Sequence, residues 1–384
     1  MNAADLMFSL IRDVFSTQSD FSDDVAWEQL LPRLYRLSAS HDMAHIVAEA
    51  LDRRGLLIGE TAAQFQKQRM LAVFRQRQIA YEAELLFGLL EEAKIDFMPL
   101  KGTVLRAQYP EAWMRTSCDI DVLVRDADLD AAISLLSQKA GYCFVERCAH
   151  DVAFLSPRNV RVELHFDLVG ENRAKNAAQI LRGVWDDAGP LEGSRFHYRM
   201  SDAMFYLYHV AHMAKHFEIG GCGIRPLLDL WIMDRSADAD TAVVRDAILE
   251  KAGLTCFADA ARKLAAAWFS GEAMDDLLAH MSDYILRAGV YGTQENRVAM
   301  GRAQKGGRFS YVWSRLFLSY DQMRLQYPIL QRHKWLLPLY HPRRWLRLTR
   351  SDRAKRSILE IQRTMTNDEK KRKTADLLEQ LDLL

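Results

Sequence analysis

The chain has 384 residues, 49% of them hydrophobic and 27% charged, so it can form two or three folded domains and is not of disordered composition. Lysine plus arginine and aspartate plus glutamate both total 51, so net charge does not indicate a large polyanion as partner. Five cysteines without CxxC spacing argue against a disulfide framework and a zinc site. No signal peptide or membrane-spanning run is recognised, and we expect a cytoplasmic protein without a transmembrane segment.

Residues 1–93 are predicted to be helical. Segments such as WEQLLPRLYRLSA place apolar residues three and four positions apart, the spacing of one helix face. Residues 94–200 are predicted to form an α/β unit of about 100 residues, an ordinary domain size. Its predicted strands are short and rich in β-branched and aromatic residues: IDFMPL, CDIDVLV, YCFVERC, VRVELHFDL and SRFHYRM. Its two predicted helices are DLDAAISLLSQKAGY and NAAQILRGVW.

Residues 201–384 are predicted to form a C-terminal helical domain, with Ser201 as a helix N-cap. The predicted fold class is therefore α+β. Within this domain, residues 302–356 carry fourteen lysines and arginines against two acids. Such a stretch either binds an anionic partner, namely nucleic acid, a polyanionic acceptor or a membrane surface, or is a solvated helix face.

The strand CDIDVLV contains two carboxylates at i and i+2. Asp119 and Asp121 therefore project from the same face, and they repel each other unless a cation lies between them. A divalent ion such as Mg²⁺ would bind both carboxylates together with substrate phosphate oxygens. The motif by itself is equally compatible with two solvated aspartates at a strand end.

Two neighbouring segments favour the metal interpretation. Lys101, Gly102 and Thr103 follow a predicted strand and begin a helix, where Gly lets the backbone approach a phosphate and free N–H groups are present. In VRVELHFDL, Glu163 and His165 share one strand face, so that Glu163 can add a third carboxylate. Three acids around one or two Mg²⁺ ions suit phosphoryl-type transfer.

The order of these motifs resembles the uncharacterised nucleotidyltransferase family of the polymerase-β superfamily. Gly102-Thr103 stands where Gly-Ser is usual, Asp119 and Asp121 match the acidic pair, and Glu163 matches the third acid. Thr in place of Ser and a longer gap to Asp119 are departures from the superfamily pattern. The resemblance implies a minimal nucleotidyltransferase core, a short mixed sheet with helices, flanked by N- and C-terminal helical domains.

The resemblance also implies the activity, an Mg²⁺- or Mn²⁺-dependent transfer of NMP from an NTP, with release of pyrophosphate. Asp119, Asp121 and Glu163 would be the catalytic and metal-binding residues. Lys101, Gly102 and Thr103 would hold the triphosphate. Arg115 is placed either to reach a phosphate or to pair with an acid, and we favour nucleotide binding. The acceptor is not identified; a small molecule, peptide, protein or saccharide is expected ahead of nucleic acid, and the oligomeric state is open.

Five further residues are candidates for the cleft. His212 and His216 lie on one predicted helical face with His209, and we expect this face to pack towards the cleft without holding zinc. Arg225 and Asp229, at i and i+4, form either an exposed or a cleft-lining pair. His165 either supports the acids or is a core histidine with its hydrogen bonds satisfied.

Two other functions remain open. A metal-dependent glycosyltransferase would also use Asp-x-Asp, but it predicts a larger α/β domain and leaves Glu163 unexplained. A catalytically silent binding protein of a biosynthetic or toxin–antitoxin-like system has no need for three convergent carboxylates.

Overall fold

A computed structural model describes residues 2–15, 27–168, 175–219, 221–290, 313, 317–320, 323, 327, 329–349 and 368–383. Four helices precede the first strand, and the longest of them has 34 residues: α1 Ala3–Phe15, α2 Trp27–Ser40, α3 Ala44–Arg53 and α4 Gly59–Glu92. Short helices lie among the strands: α5 Lys101–Leu105, α6 Leu129–Ser134, α7 Lys175–Arg182 and α8 Val184–Asp187. The later helices are α9 Asp202–Ile219, α10 Ile224–Ser236, α11 Ala239–Ala252, α12 Thr255–Ser270, α13 Asp276–Ala288, α14 Ile329–Arg332, α15 Leu337–Thr349 and α16 Asp368–Gln380.

A five-stranded mixed sheet forms the centre of the α/β part. Its strands are β1 Phe97–Pro99, β2 Asp119–Val124, β3 Cys143–Arg147, β4 Asp151–Leu155 and β5 Arg161–His165. Their order across the sheet is β1-β2-β5-β4-β3, with β2 and β5 parallel and the other neighbours antiparallel. A separate ribbon pairs β6 Gly189–Pro190 with β7 Tyr198–Arg199. The predicted α+β class is confirmed.

The two faces of the central sheet differ in chemistry. Ile120, Val122 and Val124 of β2 pack with Val162 and Leu164 of β5 against the C-terminal half of α4 and against α6. Because side chains alternate along a strand, Asp119, Asp121, Glu163 and His165 project from the opposite face. The fold thus buries an apolar layer on one side and turns the polar side chains to the other.

The N- and C-terminal helices share one hydrophobic core. Residues of α1 and α3 belong to the same buried cluster as residues of α9, α10 and α12. Phe8 of α1 illustrates this sharing, because its ring stacks on Trp268 of α12 with centroids 4.5 Å apart. The three domain ranges expected from the sequence stay a prediction.

Most predicted elements are present. Ser201 acts as an N-cap, since its Oγ accepts a hydrogen bond from the Met204 N–H at 3.3 Å. All five predicted strand segments contain strand residues, but the sequence analysis missed β4, the strand beside β5. Much of the basic stretch 302–356 lies outside the described residues, and α14 and α15 are helical parts of it. In the part of the chain that the structure describes, no helix is long and apolar enough to cross a membrane.

Candidate functional site

The parallel pairing of β2 with β5 brings the acids together. Asp121 lies directly opposite Glu163, and Asp119 lies opposite Arg161. Register partners on adjacent strands project to the same face, so the carboxylates of Asp121 and Glu163 are neighbours. The sequence motifs predict that Glu163 lies close to the aspartates. The structure places Glu163 beside Asp121.

Asp121 is the most enclosed of these acids, with 3% of its surface exposed. Its Oδ1 accepts two hydrogen bonds, each of 2.8 Å, from Lys101 Nζ and from His165 Nε2. Burial raises the pKa of Asp121, but Lys101 and His165 lower it by more, so the net pKa lies well below the usual range. No hydrogen bond from any described residue reaches Oδ2, which leaves this oxygen open to a ligand.

Three side chains here form a group with metal-binding chemistry. Potential ligand atoms of Asp121, Glu163 and His165 all lie within 4.8 Å of one another. Arg161 Nε donates to Glu163 Oε1 at 2.8 Å, while Glu163 Oε2 lies 3.7 Å from His165 Nε2. Two carboxylates and one imidazole form a donor set suited to a hard or borderline divalent ion. The sequence motifs predict Asp119 in this set, but the compact group contains His165 in its place.

Asp119 begins β2 and lies half-buried beside the group. Burial, followed by the negative charge of Asp121, raises the pKa of Asp119 to about 6, against the opposing effect of Lys101. A second carboxylate close to Asp121 is therefore hard to ionise without an added cation. The Asp-x-Asp motif predicts this repulsion between the carboxylates of Asp119 and Asp121.

Lys101 stands at the turn between β1 and α5 in an unusual backbone conformation. Its φ is +44°, in the left-handed region that non-glycine residues rarely occupy, and such strain recurs at functional sites. The backbone N–H of the preceding Leu100 donates to the Asp121 carbonyl at 3.0 Å, which ties the turn to β2. Burial would lower the pKa of Lys101, but the Asp121 carboxylate, which accepts its hydrogen bond, raises it, so the ammonium stays charged.

Gly102 is closely packed against Arg115 and Ser117. A Cβ at this position would lie 3.3 Å from Arg115 Nη1 and 3.3 Å from Ser117 Cβ. The N–H of Thr103 donates to the Leu100 carbonyl at 3.2 Å, which leaves fewer free N–H groups at the turn than the sequence suggests. Phosphate binding by Lys101, Gly102 and Thr103 stays a prediction.

Arg115 forms a buried ion pair with an aspartate of helix α10. Its Nε lies 2.7 Å and 3.0 Å from the two oxygens of Asp229, and the Tyr109 hydroxyl donates to Asp229 Oδ1 at 2.7 Å. The structure thus shows the acid pairing that was the second possibility for Arg115, and its contact with a nucleotide stays a prediction. Asp229 has 0% exposure, so the alternative of an exposed pair with Arg225 is wrong.

Arg225 takes a different partner from Asp229. Its Nη2 forms an ion pair with Asp42, whose Oδ2 also accepts a 2.7 Å hydrogen bond from Thr116 Oγ1. The helix α10 therefore sends two charged side chains to two separate partners. Their i, i+4 spacing alone did not reveal this, because it permits contact without requiring it.

Helix α9 lies on the carboxylate side of the sheet. His212 Nε2 is 3.2 Å from His216 Nε2, whereas His209 Nε2 hydrogen-bonds the Pro226 carbonyl at 2.9 Å. Burial, followed by the charge of Lys101, holds the pKa of His212 well below its ordinary value. The predicted histidine face is therefore divided: His209 supports α10, and His212 lies near the Lys101–Asp121 pair.

Three residues near the site were not singled out from the sequence. Arg161 orients Glu163, and the His150 ring lies with its centroid 5.9 Å from that of His165. Tyr208 lies one helical turn before His212 and is buried, with 1% of its surface exposed. The available signals were weak: Arg161 shares a strand face with Glu163, and Tyr208 shares a helix face with His212.

A match to a protein-family model covers the part of the chain that contains the site. A family model described as uncharacterised nucleotidyltransferase matches residues 27–270, which span every acid of the site. Comparisons with curated proteins and with solved structures each found no match. The matched range is more than half of the chain and includes the whole mixed sheet. The chain therefore belongs to the uncharacterised nucleotidyltransferase family.

Proposed function

We propose that this protein is an Mg²⁺- or Mn²⁺-dependent nucleotidyltransferase that moves NMP from an NTP to an acceptor and releases pyrophosphate. Membership of the family supports a transferase in general. The observation that carries the proposal is the group of Asp121, Glu163 and His165, with ligand atoms within 4.8 Å of one another beside a half-buried Asp119.

The residues present fit a divalent ion. Asp121 Oδ2 receives no hydrogen bond from any described residue, and Glu163 is held by Arg161 through its other oxygen, Oε1. Asp121, Glu163 and His165 would hold the ion, with Asp119 beside them. When bound, such an ion neutralises phosphate charge and polarises the oxygen that attacks. The imidazole makes Mn²⁺ at least as suitable as Mg²⁺, which prefers oxygen ligands.

The remaining residues would position and neutralise the substrate. In the reaction, an acceptor oxygen or nitrogen forms a bond to the α-phosphorus, and the bond from that phosphorus to the bridging oxygen breaks. Pyrophosphate leaves with the electron pair of that bond, and the acceptor proton passes to a carboxylate such as Glu163. Lys101 uses one of its three N–H donors on Asp121, so others are free to bind phosphate oxygens.

Net charge gives no reason to propose a nucleic-acid duplex as the acceptor. The whole chain has a formal net charge of zero, so it carries no overall positive charge to drive the counterion release that duplex binding uses. A small molecule, peptide, protein or saccharide is therefore proposed as the acceptor ahead of nucleic acid.

The decisive experiment is NMP transfer from α-labelled NTPs by the Asp121→Asn variant. We expect transfer with Mg²⁺ or Mn²⁺ to fall by at least about 1,000-fold, because loss of this carboxylate removes transition-state electrostatics. The matched control is Asp130→Asn, an exposed aspartate on α6 that should leave transfer unchanged. Full transfer by Asp121→Asn, with circular dichroism showing an intact fold, would contradict the proposal.

A further inference from the structure

Tyr208 combines complete burial with an unused hydrogen-bond donor. Its side chain belongs to the fully buried set of the protein, with 1% exposure. Among the described residues, none forms a hydrogen bond with the hydroxyl oxygen. Buried polar groups are almost always paired, and an unpaired one is costly, so a tyrosine kept here needs a reason. Phenylalanine would fill the same space without that cost.

The surroundings of the hydroxyl are those of the candidate site. Burial is the largest cause that raises the pKa of Tyr208 above its ordinary value, and the Lys101 ammonium opposes it. The carboxylates of Asp121, Asp119 and Glu163 raise the pKa further. The hydroxyl therefore stays protonated at neutral pH and can donate a hydrogen bond. The hydroxyl thus interacts electrostatically with charged groups of the site, yet none of the three carboxylates accepts a hydrogen bond from it.

Tyr208 lies on helix α9 between two aromatic rings of the same helix. The ring lies 6.0 Å from that of His212, one turn further along the helix, and 6.4 Å from that of Phe205. Both neighbours of Tyr208 in sequence, Leu207 and His209, point elsewhere: the first is buried in the helical core, and the second binds the Pro226 carbonyl. Tyr208 and His212 are the two side chains of this pair of turns that interact electrostatically with both Lys101 and Asp121.

We propose that the Tyr208 hydroxyl binds a phosphate oxygen of the nucleotide, together with Lys101, and so forms the α9 side of the triphosphate site. This inference rests on the proposed function and adds a nucleotide-binding residue to it. A phosphate oxygen has several lone pairs, so the Tyr208 hydroxyl and the Lys101 ammonium can each donate a hydrogen bond to it. The carboxylates of the site repel a polyphosphate, and hydrogen-bond donors close to them offset part of that repulsion.

The two aromatic neighbours Tyr206 and Tyr208 provide a matched pair of variants. The Tyr206 hydroxyl is fully used, since it donates to Asp234 at 2.8 Å and accepts from Arg262 at 2.7 Å. Tyr206→Phe should therefore destabilise the protein without changing phosphate binding. Tyr208→Phe should do the reverse: the melting temperature without ligand stays equal or rises, while phosphate binding weakens.

The test is calorimetric titration of the full chain with inorganic triphosphate and with ATP, each in the presence of Mn²⁺. For Tyr208→Phe we expect the Kd of both ligands to rise about tenfold, which corresponds to about 1.4 kcal/mol. Equal Kd values for Tyr208→Phe and the wild type would overturn the inference.

A second arm separates this inference from the proposed function. If Asp121→Asn loses triphosphate binding and Tyr208→Phe does not, only the role of Tyr208 is wrong. If the wild-type protein binds neither triphosphate nor ATP with either divalent ion, the proposed function and the role of Tyr208 both fail.

Discussion

Asp121 and Asp229 are both buried aspartates beside a cation, and the difference between them separates structure from function. Asp229 has 0% exposure, and both of its oxygens lie within hydrogen-bond distance of Arg115, with Tyr109 as a further donor. Asp121 has 3% exposure, but Lys101 and His165 both bind the same oxygen. Its second oxygen receives no hydrogen bond from the described residues. A buried carboxylate that the protein satisfies completely stabilises the fold, whereas one left partly open can bind a ligand.

The largest effect on stability is expected at Asp229, whose two oxygens are both paired. Asp229→Ala leaves the Arg115 guanidinium buried without its carboxylate, and removal of one partner of a buried pair costs about 3–5 kcal/mol. Chemical denaturation followed by circular dichroism measures this loss. The control is Asp283→Ala, which removes an exposed partner of Arg287 and should cost no more than about 0.5 kcal/mol. A loss below about 1 kcal/mol for Asp229→Ala would show that this pair does not hold the fold together.

The Asp121 site should differ from the Asp229 site because a divalent ion should stabilise it. Saturating Mn²⁺, at about 100 times its Kd, is expected to stabilise the wild-type protein by about 2.7 kcal/mol, because the ion binds only the folded state. Thermal denaturation with and without the ion measures the shift. Asp121→Asn should abolish it, His165→Ala should reduce it, and Asp130→Asn should retain it. An undiminished Mn²⁺ shift in Asp121→Asn would remove the distinction between the two aspartates.

Gly102 lies between the two sites and should show a smaller effect. In Gly102→Ala the new Cβ meets Arg115 Nη1 and Ser117 Cβ at 3.3 Å, so the neighbours must move and we expect a loss of about 1 kcal/mol. Gly88→Ala is the control, because nothing lies within 4 Å of its Cβ in α4. That change should stabilise the protein by about 0.5–1 kcal/mol, as alanine does in a helix interior.

The opposite signs of these two glycine substitutions can be measured in one series of urea denaturation curves. If both variants gain stability, the close approach of α5 to Arg115 and Ser117 is not rigid. The Lys101 turn would then be free to adjust when a ligand binds.

Local stereochemistry explains which structural features of the α/β part could be predicted from its sequence. Apolar and polar residues alternate in DIDVLV and RVELH, which predicted both strands and the shared face of each acid set. Strand β4 was missed because DVAFL gives only four apolar residues after an aspartate, and so short a run does not distinguish strand from other structure. The Ser201 cap was predictable because capping depends only on the next three residues.

Contacts between segments far apart in the chain could not be predicted from the sequence. Arg115 pairs with Asp229, 114 positions away, and Arg225 pairs with Asp42, 183 positions away. From the sequence, Asp229 was a plausible partner for Arg225, and a nucleotide phosphate was a plausible partner for Arg115. Which partner an arginine takes depends on how helices and loops pack, and spacing along the chain carries no information about that.

The sequence alone determined which side chains share a face: Asp119 with Asp121, Glu163 with His165, and Tyr208 with His212. These relations follow from the fixed periods of strand and helix, which need no distant contact. Only the tertiary structure decided that β2 and β5 pair in parallel with Asp121 opposite Glu163, and that Lys101 and His165 bind one oxygen of Asp121. Burial of the apolar face of the sheet sets that register, since a slip of one residue would turn the acids into the core.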